Sequence, residues 1–326
     1  MLKTLLLIAG AIILSVLILL FLPRAWSALN PRKPPAGYHF MPPAYLALAL
    51  GLEELVDTAP DIPENVEEIK NVEYKNINGK SLQIDFYRPR NLTEKLPLLV
   101  FIHGGAWKSG KRSDYLVYLV HFAQKGFVTA TVSYRLLEDA LYPACIEDVK
   151  DAVTWFFSNG EKFGYDAGRI ALIGGSAGAH LAMLAGYGWE ESDKVKTDTT
   201  QIVRKVKAVV DIYGPTDFTT PYARTHKLVT DFLGCSYEEN PELYLEASPV
   251  NYLDSNDLPT LILHGTSDRL VPVSQSDDLK LRLDSLGVPC IYYRLPLWPH
   301  TMDIVKRVNL FCREKMYDFF ADYLMP

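Results

Sequence analysis

Arg169 to Ala185, RIALIGGSAGAHLAMLA, constrains this chain more than any other stretch, because it sets a buried strand, a crowded turn and a helix in immediate succession. Arg-Ile-Ala-Leu-Ile is a short apolar run with β-branched residues, and His180 to Ala185 has helix-forming composition. Between them, Gly174-Gly175-Ser176-Ala177-Gly178 matches the pattern G-x-S-x-G. A serine on such a turn stands clear of a sheet only if its neighbours carry almost no side chain, and here all of them are glycine or alanine. The same run also suits a plain small-residue turn that packs a helix on a strand, so its meaning rests on what surrounds it.

What surrounds it is a regular alternation. Continuous apolar runs at Leu98–Ile102, Phe127–Val132, Ile170–Ile173, Ala208–Ile212, Thr260–Leu263 and Ile291–Leu295 predict strands. Helices are expected between and after them, at about Tyr115–Lys125, Ala144–Phe157, from Ala177, at Val273–Leu286 and at Met302–Tyr323. Ile146, Val149, Val153 and Phe156 recur at spacings of three and four, the apolar stripe of a helix lying on a core. Strands that are apolar throughout must be covered on both faces, which predicts an α/β fold with a mainly parallel central sheet and helices on both sides. Ahead of this series, Val72–Tyr74 and Leu82–Phe86 flank Asn78-Gly79 and read as a hairpin. Pro215 to Asp257 is too long for a simple connection and carries Tyr222, Phe232, Tyr237, Tyr244 and Tyr252, so residues 215–257 are expected to form a small helical cap insertion. We take residues 66–326 as one catalytic domain.

The N-terminus differs in kind. Leu5 to Leu22 has Ser15 as its one polar side chain and no charge, with Lys3 before it and Arg24 after it. It is longer than a usual signal-peptide core and close to the span of a bilayer. Residues 1–28 are therefore read as a transmembrane signal anchor, with the domain on the extracytoplasmic side. Cleavage near Ala25–Ala28, giving a secreted or periplasmic protein, is the alternative. Residues 29–65 are rich in proline and read as a tether. The net charge of −6, spread along the chain, leaves no footprint for nucleic acid. Cys145, Cys235, Cys290 and Cys312 are far apart without ligand spacing, so they read as free thiols, with a Cys290–Cys312 pair as the alternative; no metal and no cofactor are expected.

A serine hydroxyl becomes a nucleophile only beside a base that a third group orients. Where a G-x-S-x-G turn serves catalysis, the partners follow in the order serine, acid, histidine. Of the histidines after Ser176, His180 lies on the following helix, His226 in an irregular insertion and His264 at the end of a strand; His300 alone occupies a loop beyond the last strand. The acid is expected at Asp268, in the turn after Leu261-Ile262-Leu263, with Asp217 in reserve. His103-Gly104-Gly105-Ala106-Trp107 follows the strand Leu98–Ile102, where its backbone N–H groups, with that of Ala177, can form an oxyanion hole. Trp107 and Trp298, beside the oxyanion loop and beside His300, are the candidate pocket walls.

HGGAW, SYRL at Ser133–Leu136, GGSAGAH, YGPTDF, HGTSD and the late His300 appear in a recognisable order. On these residues the chain resembles the serine esterases of the α/β-hydrolase superfamily, in the hormone-sensitive-lipase-like and feruloyl- or acetyl-esterase-like (BD-FAE-like) branch. The resemblance implies an α/β-hydrolase fold from about Val72 onward and cleavage of a carboxylic ester of small-molecule size, with Ser176 as nucleophile, His300 as base and Asp268 as acid, and with Gly105, Ala106 and Ala177 supplying the oxyanion N–H groups while Gly104 makes the turn. Two departures, Ala106 for a third glycine and Gly175 for an aspartate, move the likeness toward isoprenylcysteine methylesterases and formamidases with HGGxW. An amidase or formamidase is thus the second reading, and a catalytically inactive hydrolase fold used for binding is the third.

Overall fold

The computed structural model describes residues 2–38, 41–187 and 206–325. Two helices come first, α1 (Leu2–Leu29) and α2 (Met41–Ala49). Then follow β1 (Val66–Ile77), β2 (Lys80–Pro89), β3 (Leu96–Ile102), α3 (Leu116–Gln124), β4 (Val128–Val132), α4 (Ala144–Phe163), β5 (Tyr165–Gly175), α5 (Ala177–Tyr187) and β6 (Ala208–Ile212). The short helices α6 (Pro221–Thr225), α7 (Lys227–Leu233) and α8 (Pro241–Glu246) lie within residues 215–257. The chain ends with β7 (Thr260–Gly265), α9 (Ser274–Leu286), β8 (Cys290–Leu295) and α10 (Lys306–Leu324). The strands form one sheet in the order β1-β2-β4-β3-β5-β6-β7-β8. The chain divides into two compact units, a larger one of Asp57–Ile262, Ser274–Tyr292 and Met316–Pro326 and a smaller one of Met1–Val56, Leu263–Val273 and Tyr293–Lys315.

In the larger unit, β1 and β2 pair antiparallel across Ile77 and Lys80. Asn78 (φ 51°) and Gly79 (φ 88°) both take the left-handed conformation that a tight hairpin turn demands. Strand β4 pairs antiparallel with β2 and parallel with β3, and β3, β5 and β6 run parallel to one another. The predicted stripe of α4 is buried, and the helix runs on to Phe163 through Gly160, where a Cβ would lie 2.6 Å from Tyr165 O. Leu98, Val100 and Ile102 of β3 join the cluster that holds Val149, Val153 and Phe156, while Phe101 stacks on Tyr118 and Phe122 of α3. Successive β3 side chains thus serve opposite faces, each buried Leu, Val or Phe contributing about 1.5–3 kcal/mol. Parallel register brings Ile102 beside Gly174, and Gly175 beside Ile212, so the turns after β3, β5 and β6 open at one sheet edge. None of the four cysteines forms a disulfide.

In the smaller unit, α1 is long and apolar enough to cross a membrane, with mean hydropathy 3.2 in its most apolar window. Helix α2 packs beside it, and Leu20 and Ala47 are both buried. Pro35 to Tyr38, expected within a tether, are buried.

Candidate active site

Ser176 sits between β5 and α5 with φ 55°, a left-handed conformation that disfavours a residue carrying a Cβ by about 1–2 kcal/mol. Contacts on every side maintain it. Ser176 N–H donates to Ile212 O (2.9 Å) and Ser176 O accepts from His180 N–H (3.1 Å). The neighbouring glycines are sterically obligatory. A Cβ on Gly174 would lie 2.2 Å from Gly178 C and O, one on Gly178 would lie 2.0 Å from Ile102 O, and one on Gly175 would lie 1.9 Å from Tyr115 Oη. The last distance gives the departure at Gly175 a physical reason, since the Tyr115 phenol occupies the space an aspartate side chain would need.

The loop after β3 lies directly against this turn, with a Cβ on Gly104 falling 2.7 Å from Gly175 O and 3.4 Å from Ser176 Cβ. Gly105 (φ 110°), Ala106 (φ 53°) and Trp107 (φ 58°) are left-handed in succession, a strained run that needs external support. Gly105 O accepts from Lys108 N–H, Ser109 N–H and Ser109 Oγ, and Trp107 O accepts from Leu137 N–H. The Trp107 indole stacks on Phe232 of α7 at 4.1 Å and donates its N–H to His180 Nδ1 (3.3 Å), and His180 Nε2 donates to Ala247 O (2.7 Å). Both ring nitrogens of His180 are thus committed to the neutral form, and burial pushes it down to about 4. Ala177 opens α5, so its N–H is a first-turn donor that the helix itself leaves without a partner.

The acid and the late histidine meet in the smaller unit. His300 Nδ1 lies 2.6 Å from Asp268 Oδ2, and the carboxylate can only accept, so the ring donates. Asp268 Oδ1 accepts from the N–H groups of Leu270 (2.8 Å) and Val271 (2.9 Å). Oδ2 takes a further hydrogen bond from His264 Nε2 (3.1 Å), a nitrogen that must carry hydrogen because it also faces Val271 O (3.0 Å). Burial works to raise the Asp268 carboxyl, but hydrogen bonds from His264, His300 and Val271 and the charge of His300 outweigh it and hold the group well below the usual carboxylate range. The two turns that carry the pair are stitched together: Ser267 N–H donates to Trp298 O, Thr266 N–H to Leu295 O and Leu297 N–H to Thr266 Oγ1. A Cβ on Gly265 would come within 2.3 Å of Trp298 O.

The reserve acid Asp217 serves other groups, accepting from Thr219 N–H and Oγ1 and pairing with Arg282. The two indoles expected as pocket walls are packed among protein side chains. Trp107 is 4% exposed, held by Phe232 and His180. Trp298 is 3% exposed, donates to Pro35 O and lies under Arg307. Sequence reasoning passed over His264 as a strand end; its signal was the spacing His264-x-x-x-Asp268, which a tight turn converts into contact.

Residues 84–283 match the BD-FAE family. Among curated proteins, the chain is 32% identical over 245 residues to a protein of Mycobacterium tuberculosis named probable carboxylic ester hydrolase LipM, covering 70% of this chain and 54% of that protein. The chain spans about half the length of the curated relatives it matches. Among solved structures, a truncated carbohydrate esterase from gut microbiota is 26% identical with TM-score 0.64, covering 78% of this chain and 95% of that one. Thermogutta terrifontis esterase 2, solved with butyrate bound, has TM-score 0.66 at 21% identity, covering 81% and 95%, and shares the fold. Matched by its family along the strands and helices that carry Ser176 and the Gly104–Trp107 loop, this chain belongs to the BD-FAE family of α/β hydrolases.

Proposed function

We propose that the chain hydrolyses carboxylic esters through an acyl-enzyme formed on Ser176. The observation that carries this reading is the 2.6 Å hydrogen bond from His300 Nδ1 to a buried, multiply donated Asp268 carboxylate, the arrangement that orients a histidine ring and fixes its tautomer. The left-handed Ser176, backed by the Gly104 loop, and the names of LipM and the gut carbohydrate esterase support it.

In the proposed reaction Ser176 Oγ attacks the ester carbonyl carbon while His300 Nε2 takes its proton. The carbonyl oxygen becomes an oxyanion that receives N–H groups of Gly105, Ala106 and Ala177, each donor contributing about 3 kcal/mol to the transition state. Collapse breaks the C–O bond, and the alcohol leaves with the proton from His300. Water then attacks the acyl-serine with His300 again as base, releasing the carboxylic acid. Asp268 stays ionised throughout and orients the imidazole. Helix α1 is proposed to hold the enzyme in a membrane.

The test is labelling by a fluorophosphonate together with hydrolysis of p-nitrophenyl butyrate. The expected result is labelling and turnover by the full chain and neither by Ser176→Ala. Equal labelling of both proteins removes Ser176 from the role. Turnover of an N-formyl substrate in preference to the ester replaces the ester reading with the amide one.

A further inference from the structure

Resting on the esterase reading, we infer that the substrate is a lipid ester resident in the bilayer, its carbonyl presented at headgroup depth, rather than an ester dissolved in water. The reason is the way the histidine loop is built. Residues Pro296–Thr301 rest on the segment that leaves α1, and each contact is specific. Gly37 N–H donates to Pro296 O (2.7 Å), and Trp298 Nε1 donates to Pro35 O (2.9 Å). A Cβ on Gly37 would lie 2.7 Å from Leu297 O and 2.8 Å from the Trp298 ring.

Arg307 ties the same loop to the helix itself. Its Nη1 donates to Ser27 Oγ (3.1 Å) within α1, its Nη2 to Ala36 O (2.7 Å), and its Nε to both oxygens of Glu53 (2.8 and 2.9 Å). Its guanidinium lies 4.8 Å from the centre of the Trp298 ring. Glu53, 5% exposed, also accepts from Tyr38 Oη (2.8 Å). Buried charges are retained only where their geometry is fully satisfied, so this arrangement specifies one position of the loop relative to the foot of α1. A free tether would need none of it.

The depth follows from helix geometry. The uncharged stretch ends at Leu22, and Ser27 lies five residues further, about 7.5 Å along the axis. With α1 spanning a bilayer, Ser27, Arg307 and Trp298 stand at the headgroup layer, and His300 follows Trp298 by two residues. Helix α2, packed on α1, exposes Tyr45 (62%) and Leu46 (40%) beside the apolar span, as a segment lying in the interface does. The ester carbonyls of glycerolipids occupy this same boundary between headgroup and acyl chain.

The experiment uses the full chain reconstituted in phosphatidylcholine vesicles, with dioleoylglycerol in the bilayer and p-nitrophenyl acetate in the water as paired substrates. A variant with about ten Gly/Ser residues inserted between Asn30 and Pro31 lets the domain wander by roughly 18 Å from the helix. The expected result is that the wild type hydrolyses both esters and that the insertion lowers diacylglycerol turnover about tenfold or more while p-nitrophenyl acetate turnover stays within about twofold. The retained soluble activity also reports that the variant is folded. Hydrolysis of the soluble ester alone, or equal rates before and after insertion on both esters, overturns the lipid inference and leaves the esterase reading standing. Hydrolysis of neither ester by the wild type removes both.

Discussion

The serine turn and the acid–histidine turn are held by different physics. Around Ser176 the constraint is steric: Gly104, Gly174, Gly175 and Gly178 all lie where one extra carbon would meet backbone or a phenol. Around Asp268 it is electrostatic, with both carboxylate oxygens occupied by donors from His264, His300, Leu270 and Val271. The first region is therefore intolerant of added volume, whereas the second tolerates isosteric change and responds to lost donors.

The largest expected effects come from the proposed nucleophile and the carboxylate proposed to orient its base. Ser176→Ala and Asp268→Asn should each lower kcat by about 10⁴-fold or more, Ser176→Ala with little change in melting temperature, read by steady-state kinetics and calorimetry. A thermal loss matching the kinetic one would break the distinction between chemistry and support. His264→Phe removes one charge-assisted donor from Asp268 and should lower kcat by about 10- to 100-fold with KM nearly unchanged. With one lowering influence gone, the Asp268 carboxyl moves up, so the stability that its low value confers is lost at a higher pH on acidification than in the wild type, read by unfolding as a function of pH. An unshifted stability profile would assign His264 to packing alone.

The steric side is probed by Gly175→Ala, expected to destabilise the fold by about 1–3 kcal/mol through overpacking. Adding Tyr115→Phe, whose nearest remaining ring carbon would lie 3.2 Å from the new Cβ, should recover most of that loss in denaturant unfolding. The smallest effect concerns His180. Its folded value of about 4 lies below the usual histidine value near 6.5, so between these pH values the unfolded chain binds the extra proton and stability falls as the medium is acidified. The loss amounts to about 2 kcal/mol at pH 5. Unfolding of His180→Asn compared with wild type at pH 7 and pH 5 should show a shallower pH slope in the variant.

Much of the fold was legible because it depends on local rules. The 3.6-residue stripe of α4, the apolar β3 to β6 and the Asn78-Gly79 turn need only side-chain period and backbone sterics. The first strands were less legible: β1 extends over Val66–Ile77, where Glu67, Glu68, Lys70 and Lys75 mask an edge strand that meets water along much of its length. Within the candidate site, the chain order of Ser176, Asp268 and His300 could be read from spacing. The packing of Trp107 against Phe232 and of Trp298 against Pro35 could not, because each partner lies far off in sequence.

Taken alone, the amino-acid sequence determined the alternating layers, the glycines that crowd Ser176 and an apolar N-terminal helix, since each follows from properties of neighbouring residues. Tertiary structure alone decided that His264 shares the Asp268 carboxylate with His300, that Tyr115 fills the space beside Gly175, and that Arg307 joins α1 to the histidine loop. Those contacts depend on how distant turns come into register, and the energy of a hydrogen bond or a steric clash changes over tenths of an ångström that no linear spacing encodes.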